Sequence, residues 1–162
     1  IDLVASLPFE FVGGNDLLSL AFNYTDTDLE VTNPKSPISN INVRKEREEG
    51  VPKTRGILTY SHSQEGLNAM VRINYYGSFY NAQFNDVSLI EKVDPVIITD
   101  MEVSYDFTDS LVIALGAKNI FDIYPEEYSA GRSAGFLGAI YPLNSPNGFN
   151  GGHYYLRMGW DF

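Results

Sequence analysis

The sequence predicts an all-β fold, an antiparallel up-and-down meander of about seven strands. Three observations carry that expectation. Apolar side chains recur at every second position, the period of a strand with one apolar face, and not at the helical period. Connections between these segments alternate between tight turns and long loops. Aromatic residues make up 14% of the chain, with 11 Tyr and 10 Phe against one Trp, and Tyr and Phe favour strands.

The first predicted strand, residues 2–11, sets Leu3, Ala5, Leu7, Phe9 and Phe11 on one face. Pro8 lacks an N–H, which places this strand near an edge. Residues 13–16 (GGND) read as a turn into a second strand over 17–27, with Leu18, Leu20, Phe22 and Tyr24 on its apolar face. A polar segment over 28–54 follows, and then a short third strand over 55–62 whose two faces the pattern does not separate. After a turn at 63–66, the fourth strand alternates Leu67, Ala69, Val71, Ile73 and Tyr75 with polar neighbours that include Arg72. A loop over 79–97 leads to a fifth strand, where Met101, Val103, Tyr105 and Phe107 oppose Asp100, Glu102, Ser104 and Asp106. A turn at 108–110 precedes the sixth, with Leu111, Ile113, Leu115 and Ala117 opposite a face ending in Lys118. A third long loop, 122–153, precedes a closing strand that alternates Tyr154, Leu156, Met158, Trp160 and Phe162 with residues that include Arg157.

Three loops of this length are uncommon in a compact soluble domain. Short turns at one end and long loops at the other match an outer-membrane barrel, with turns in the periplasm and loops outside. The apolar faces contain no charge, whereas Arg72, Asp100, Glu102, Lys118 and Arg157 lie on the opposite face, the expected lumen side. A spanning strand needs only about 9–11 residues, so a mean hydropathy of −0.15 fits a barrel. A net charge of −10 argues against a nucleic-acid partner. With no cysteine, a disulfide framework or thiolate site is excluded. The opening Ile1, without initiator Met or signal peptide, reads as the interior of a longer chain.

Two segments carry a resemblance to a known family. NIFDIYPEEY (119–128) resembles the N-L-F-D-x-x-Y segment near a late strand of TonB-dependent outer-membrane receptors. YPLNSPNGFNGGHYYLRMGWDF (141–162) is similar to their last loop and strand, with the S-P-x-G-F-N-G run and terminal Phe. REEGVPKTRGILTYSH (47–62) and YDFTDS (105–110) fit the same family more loosely. The resemblance implies that the chain is the C-terminal fragment of a 22-stranded transmembrane β-barrel with a plugged lumen. It further implies a receptor in the bacterial outer membrane that imports a scarce solute: a ferric siderophore, cobalamin or a glycan. The expected partners are outer-membrane lipid, the barrel assembly machinery acting on the closing strand (Tyr154, Leu156, Met158, Trp160 and Phe162), and the TonB complex acting through a plug. An isolated fragment is expected to self-associate through its strand edges. The alternative reading is a soluble small-molecule-binding β-sandwich or lipocalin-like barrel.

No catalytic, cofactor or metal site is expected. Gly131-Arg132-Ser133-Ala134-Gly135 fits the nucleophile-elbow pattern, yet no acidic residue lies between Ser133 and His153 to complete a triad in the required order. Asp100, Glu102 and Asp106 read as a hydrated wall. Asp26, Asp28 and Glu30 lack EF-hand spacing. His62 and His153 have no partner at ligand spacing. The mixed run Arg44–Glu49 reads as a solvated loop, and Tyr75, Tyr76, Phe79, Tyr80, Tyr105 and Trp160 as candidate interfacial girdle residues.

Overall fold

The computed structural model describes residues 1–82, 86–128 and 138–161. Among these described residues nine strands form: β1 (Asp2–Phe11), β2 (Gly14–Tyr24), β3 (Thr54–Gln64), β4 (Leu67–Tyr76), β5 (Phe79–Asn81), β6 (Glu91–Val93), β7 (Val96–Thr108), β8 (Leu111–Lys118) and β9 (His153–Trp160). Seven of them make one antiparallel sheet in the order β1-β2-β3-β4-β7-β8-β9, while β5 and β6 form a separate ribbon. The fold is therefore all-β, and the large sheet is a meander in chain order. β1 stands at one edge, where Pro8 is tolerated.

Register aligns the apolar sets of all seven strands on one face. Leu7, Leu18, Tyr60, Val71, Met101, Ala117 and Tyr154 stand opposite one another in successive strands. One residue along, Pro8, Leu17, Ser61, Met70, Glu102, Gly116 and Tyr155 make the corresponding row on the other face. The third strand, ambiguous in sequence, is assigned by its neighbours: Leu58 pairs with Leu20 and Ile73, so Leu58 and Tyr60 join the apolar face. A bulge between Asp106 and Thr108 lets Thr108 face Leu111 at the last turn. The sheet is staggered. Leu67, the first residue of β4, faces Tyr105, and β7 runs on to Thr108.

The apolar face is not the protein's core. Leu156 is 73% exposed, Trp160 64% and Leu115 63%, and Leu3, Leu7, Val103 and Tyr105 are exposed as well. Among the described residues, several of the most buried apolar side chains lie in or beside the long connections instead: Phe79, Ala82, Val93 and Tyr128.

Several expectations need correction: the third strand is not short but runs over eleven residues, and the 79–97 segment holds β5, β6 and the first residues of β7. The first turn is Val12-Gly13, and β2 begins at Gly14, taking Asn15 and Asp16 into the sheet. The polar segment before β3 is not featureless, since it holds helix α1 (Ile41–Glu49). Asn40 caps α1 by accepting from the Asn42 and Val43 N–H groups at 2.9 and 3.4 Å. Good helix formers follow, Lys45 bonds Glu49 one turn on at 2.8 Å, and Gly50 ends the helix. With no apolar stripe, α1 gives no periodic signal in the sequence.

The β1–β2 and β3–β4 turns use two residues of positive φ each: Val12 and Gly13 (53° and 80°), Glu65 and Gly66 (47° and 82°). This is the type I′ geometry that matches strand twist and favours Asn-Gly. A β-branched residue is strained there. Val12→Asn is therefore expected to raise stability by about 1 kcal/mol, read as a higher urea midpoint at unchanged slope for the detergent-solubilised chain.

Candidate functional site: a two-faced wall beneath a knitted loop cap

The three long connections, residues 25–53, 77–95 and 119–152, all leave the same end of the meander, because each follows an even-numbered strand of the large sheet. They are joined by buried polar contacts. The Asn144 side-chain amide donates to Glu46 Oε1 at 3.2 Å and to the Gly50 carbonyl at 2.6 Å. Asn81, fully buried, donates to Asn144 Oδ1 at 3.0 Å and to the Tyr128 hydroxyl at 2.9 Å. The second carboxylate oxygen of Glu46 accepts from the Ala82 N–H at 2.7 Å. One residue from each connection thus meets at one point: Glu46 from the first, Asn81 from the second, Asn144 from the third. Lys45 lies 3.8 Å above the Tyr80 ring, and Glu126 accepts from the Asp94 N–H at 3.0 Å. These contacts make the loops one cap.

Beneath the cap, the polar face is a wall of fixed side chains. Glu102 of β7 accepts from the Tyr155 hydroxyl at 2.6 Å and from Arg157 at 2.9 Å, both on β9. Tyr155 reaches it across Gly116, where a Cβ would collide with the ring. Asp100 accepts from the Asn74 amide at 3.1 Å and the Asn119 N–H at 3.0 Å, and Arg72 donates to Thr59 at 3.4 Å. Lys118 ends β8 on the same face, beside His153. The five charged residues singled out in the sequence therefore share one face, as alternation requires. Tyr154, Leu156, Met158 and Trp160 share the other, and Phe162 lies outside the described residues.

The apolar face contains one charged cluster that sequence reasoning missed. Asp16 is buried and accepts from the Tyr60 hydroxyl at 2.6 Å and the Phe11 N–H at 2.7 Å, with His62 Nδ1 at 2.9 Å. Phe9 stacks on Tyr60. The cluster sits at the turn end of the sheet, where its members satisfy one another. In the sequence Asp16 reads as a turn residue, and its side-chain partners Tyr60 and His62 are distant in the chain, so no local signal marks it. His62 thus does have an acidic partner.

Other readings also change. The Arg44–Glu49 run is α1, whose Glu46 organises the cap. Phe79 and Tyr80 belong to that cap, with Phe79 buried, whereas Tyr75 and Tyr105 share the apolar face and Tyr76 the polar one. Tyr124, Tyr141 and Phe149 stack in near-parallel planes, with centroids 6.1 and 6.3 Å apart. Ser133 and its pentapeptide lie outside the described residues. Among the described residues, no cluster of three or more His, Cys, Asp or Glu side chains is placed to hold a metal.

At the cap margin, Lys53 bonds Asp26 at 2.6 Å and holds that carboxyl below its ordinary range. The pair's contribution is present above the ordinary carboxylate range and fades as pH falls through the lowered value.

Compared with protein-family models, curated proteins and solved structures, the chain matches none.

Asn144 is the shared hub of the cap. Asn144→Ala should cost roughly 2 kcal/mol of local stability through the loss of its bonds to Glu46, Gly50 and Asn81. Hydrogen exchange at the Ala82 amide should accelerate about 30-fold, with exchange in the β3–β4 turn unchanged.

Proposed function

We propose that the chain is a wall segment of a TonB-dependent receptor in the bacterial outer membrane, from the C-terminal part of its 22-stranded barrel. The receptor takes up a scarce solute of the siderophore, cobalamin or glycan kind. The observation that carries this reading is the continuous apolar face of seven hydrogen-bonded strands, left exposed from β1 to β9. Fully burying one Leu or Phe is worth about 1.5–3 kcal/mol. A face of this extent is stable only against another apolar phase. Lipid supplies that phase, and the opposite face, carrying Arg72, Asp100, Glu102, Lys118 and Arg157, then borders a hydrated lumen.

Three further features support the reading. Antiparallel pairing satisfies the backbone within the sheet, the requirement for crossing hydrocarbon. The stagger between β4 and β7 is the kind of register shift that tilted barrel strands need. The long connections emerge together and bind one another, as a solute-capturing rim would. In this reading the cap and polar wall contact the solute, and import is driven through a plug coupled to the TonB complex. The edges of β1 and β9 pair with neighbouring strands of the barrel; exposed in isolation, they would associate with other copies.

The chain has no cysteine of its own, so single-cysteine variants report position cleanly. In intact cells, Ser36→Cys and Lys92→Cys in the loops should react with a membrane-impermeant maleimide. Glu65→Cys and Asp109→Cys in the turns should react only after the outer membrane is permeabilised. The reverse pattern, or recovery of all four variants in a soluble fraction, contradicts the proposal.

A further inference from the structure

The third long connection carries both Asn-Gly pairs of the chain, Asn147-Gly148 and Asn150-Gly151. Such a pair holds its own reactants. The glycine backbone nitrogen can attack the asparagine side-chain carbonyl carbon, and glycine has no Cβ to hinder the approach. Two local conditions govern the attack. The nitrogen must be free of a hydrogen bond, so that it can lose its proton, and the side chain must reach water, so that ammonia can leave and water can enter. The two pairs differ on both counts.

Asn147 sits in a closed turn, Ser145-Pro146-Asn147-Gly148. Pro146 fixes φ at the second position, and the Gly148 N–H donates to the Ser145 carbonyl at 3.3 Å. The Asn147 amide nitrogen is buried with no hydrogen-bond partner among the described residues, so the group that would have to leave is shut off from solvent. Asn150, three residues on, is exposed and lies outside any turn or strand. Gly151 follows it at φ 63°. Among the described residues the Gly151 N–H donates to nothing, whereas the next N–H, that of Gly152, donates to Asp122 Oδ1 at 2.7 Å.

We propose that Asn150 is a site of spontaneous deamidation and that Asn147, in the same loop, is protected. The Gly151 nitrogen gives its proton to water and bonds to Asn150 Cγ. The Cγ–Nδ2 bond breaks, and the side-chain nitrogen departs as ammonia with a proton taken from water, leaving a five-membered succinimide. One water then opens that ring. Cleavage of the new N–Cγ bond gives aspartate on the original backbone, and cleavage of the old backbone C–N bond gives isoaspartate; neither step involves oxidation or reduction. Asn150 lines a groove on the polar face together with Asp100, Lys118 and His153, so either product adds a negative charge there. The isoaspartyl product also lengthens the main chain just before Gly151, where even a Cβ would collide with the Tyr124 hydroxyl and Asp122. The segment entering β9 must then shift. Nothing in this chemistry depends on the proposed function.

Incubating the full detergent-solubilised chain at mildly alkaline pH in heavy-oxygen water, followed by peptide mapping, tests the proposal. Both asparagines fall in one tryptic peptide, between Arg132 and Arg157, and fragment ions separate them. In protein that keeps its native amide dispersion, Asn150 should acquire heavy oxygen about tenfold faster than Asn147, the factor set by having to open one hydrogen bond before reaction. In denaturant the two should convert at similar rates, and Asn150→Gln should abolish the native-state conversion. Equal or faster conversion of Asn147 in the native chain overturns the proposal. So does an Asn150 that stays intact over a period in which the denatured chain reacts.

Discussion

Antiparallel register is the constraint on which everything else depends. Because strand side chains alternate, a slip of one residue between any two neighbours would move an entire apolar set to the opposite face. Six successive pairings keep phase from β1 to β9, and the bulge near Asp106 absorbs the single irregularity. The outcome is a sheet with two chemically distinct sides. One presents Leu, Phe, Tyr and Met with only the self-satisfied Asp16–Tyr60–His62 cluster at its turn end. The other presents paired charges and amides.

Burial follows an unusual distribution for a chain of this size. In a sandwich the apolar face would be the core, packed against a second sheet. Here those side chains remain exposed, and Phe79, Ala82, Val93 and Tyr128 are buried among the connections. The cap accordingly has internal structure of its own, held by Glu46, Asn81 and Asn144. The wall depends on its surroundings to cover the apolar face, and in the proposed barrel a hydrocarbon phase would meet that need while leaving the polar face free. The cap and the polar wall meet at Asp100 and Asn119, where a turn with Asn119 and Asp122 in the left-handed region joins β8 to the third loop.

Much of the sheet was legible because alternation is a local property. Leu67–Tyr75 and Leu111–Ala117 declare their faces within a single segment. The third strand did not, since Gly56, Leu58 and Tyr60 compete with Ile57 on the other parity, and only pairing with β2 and β4 decides. Helix α1 was hidden by the lack of an apolar stripe, although Asn40, the Arg-Lys-Glu-Arg-Glu-Glu run and Gly50 form a readable cap, body and stop. The cap hub and the Asp16 cluster were out of reach for another reason. Glu46, Asn81 and Asn144 come from three separate connections, and Asp16 lies far along the chain from Tyr60 and His62. Such contacts depend on the completed register, which no single segment encodes.

In the proposed barrel the apolar face meets hydrocarbon and the polar face meets water. Spin labels placed in turn at residues 154 to 160 of β9, in the bilayer-reconstituted protein, measure this directly through relaxation by oxygen and by a water-soluble nickel chelate. A wall between lipid and lumen should show alternation along the strand: positions 154, 156, 158 and 160 relaxed chiefly by oxygen, positions 155, 157 and 159 chiefly by nickel. Equal accessibility of both faces to nickel, or protection of positions 154, 156, 158 and 160 from both reagents, would contradict it.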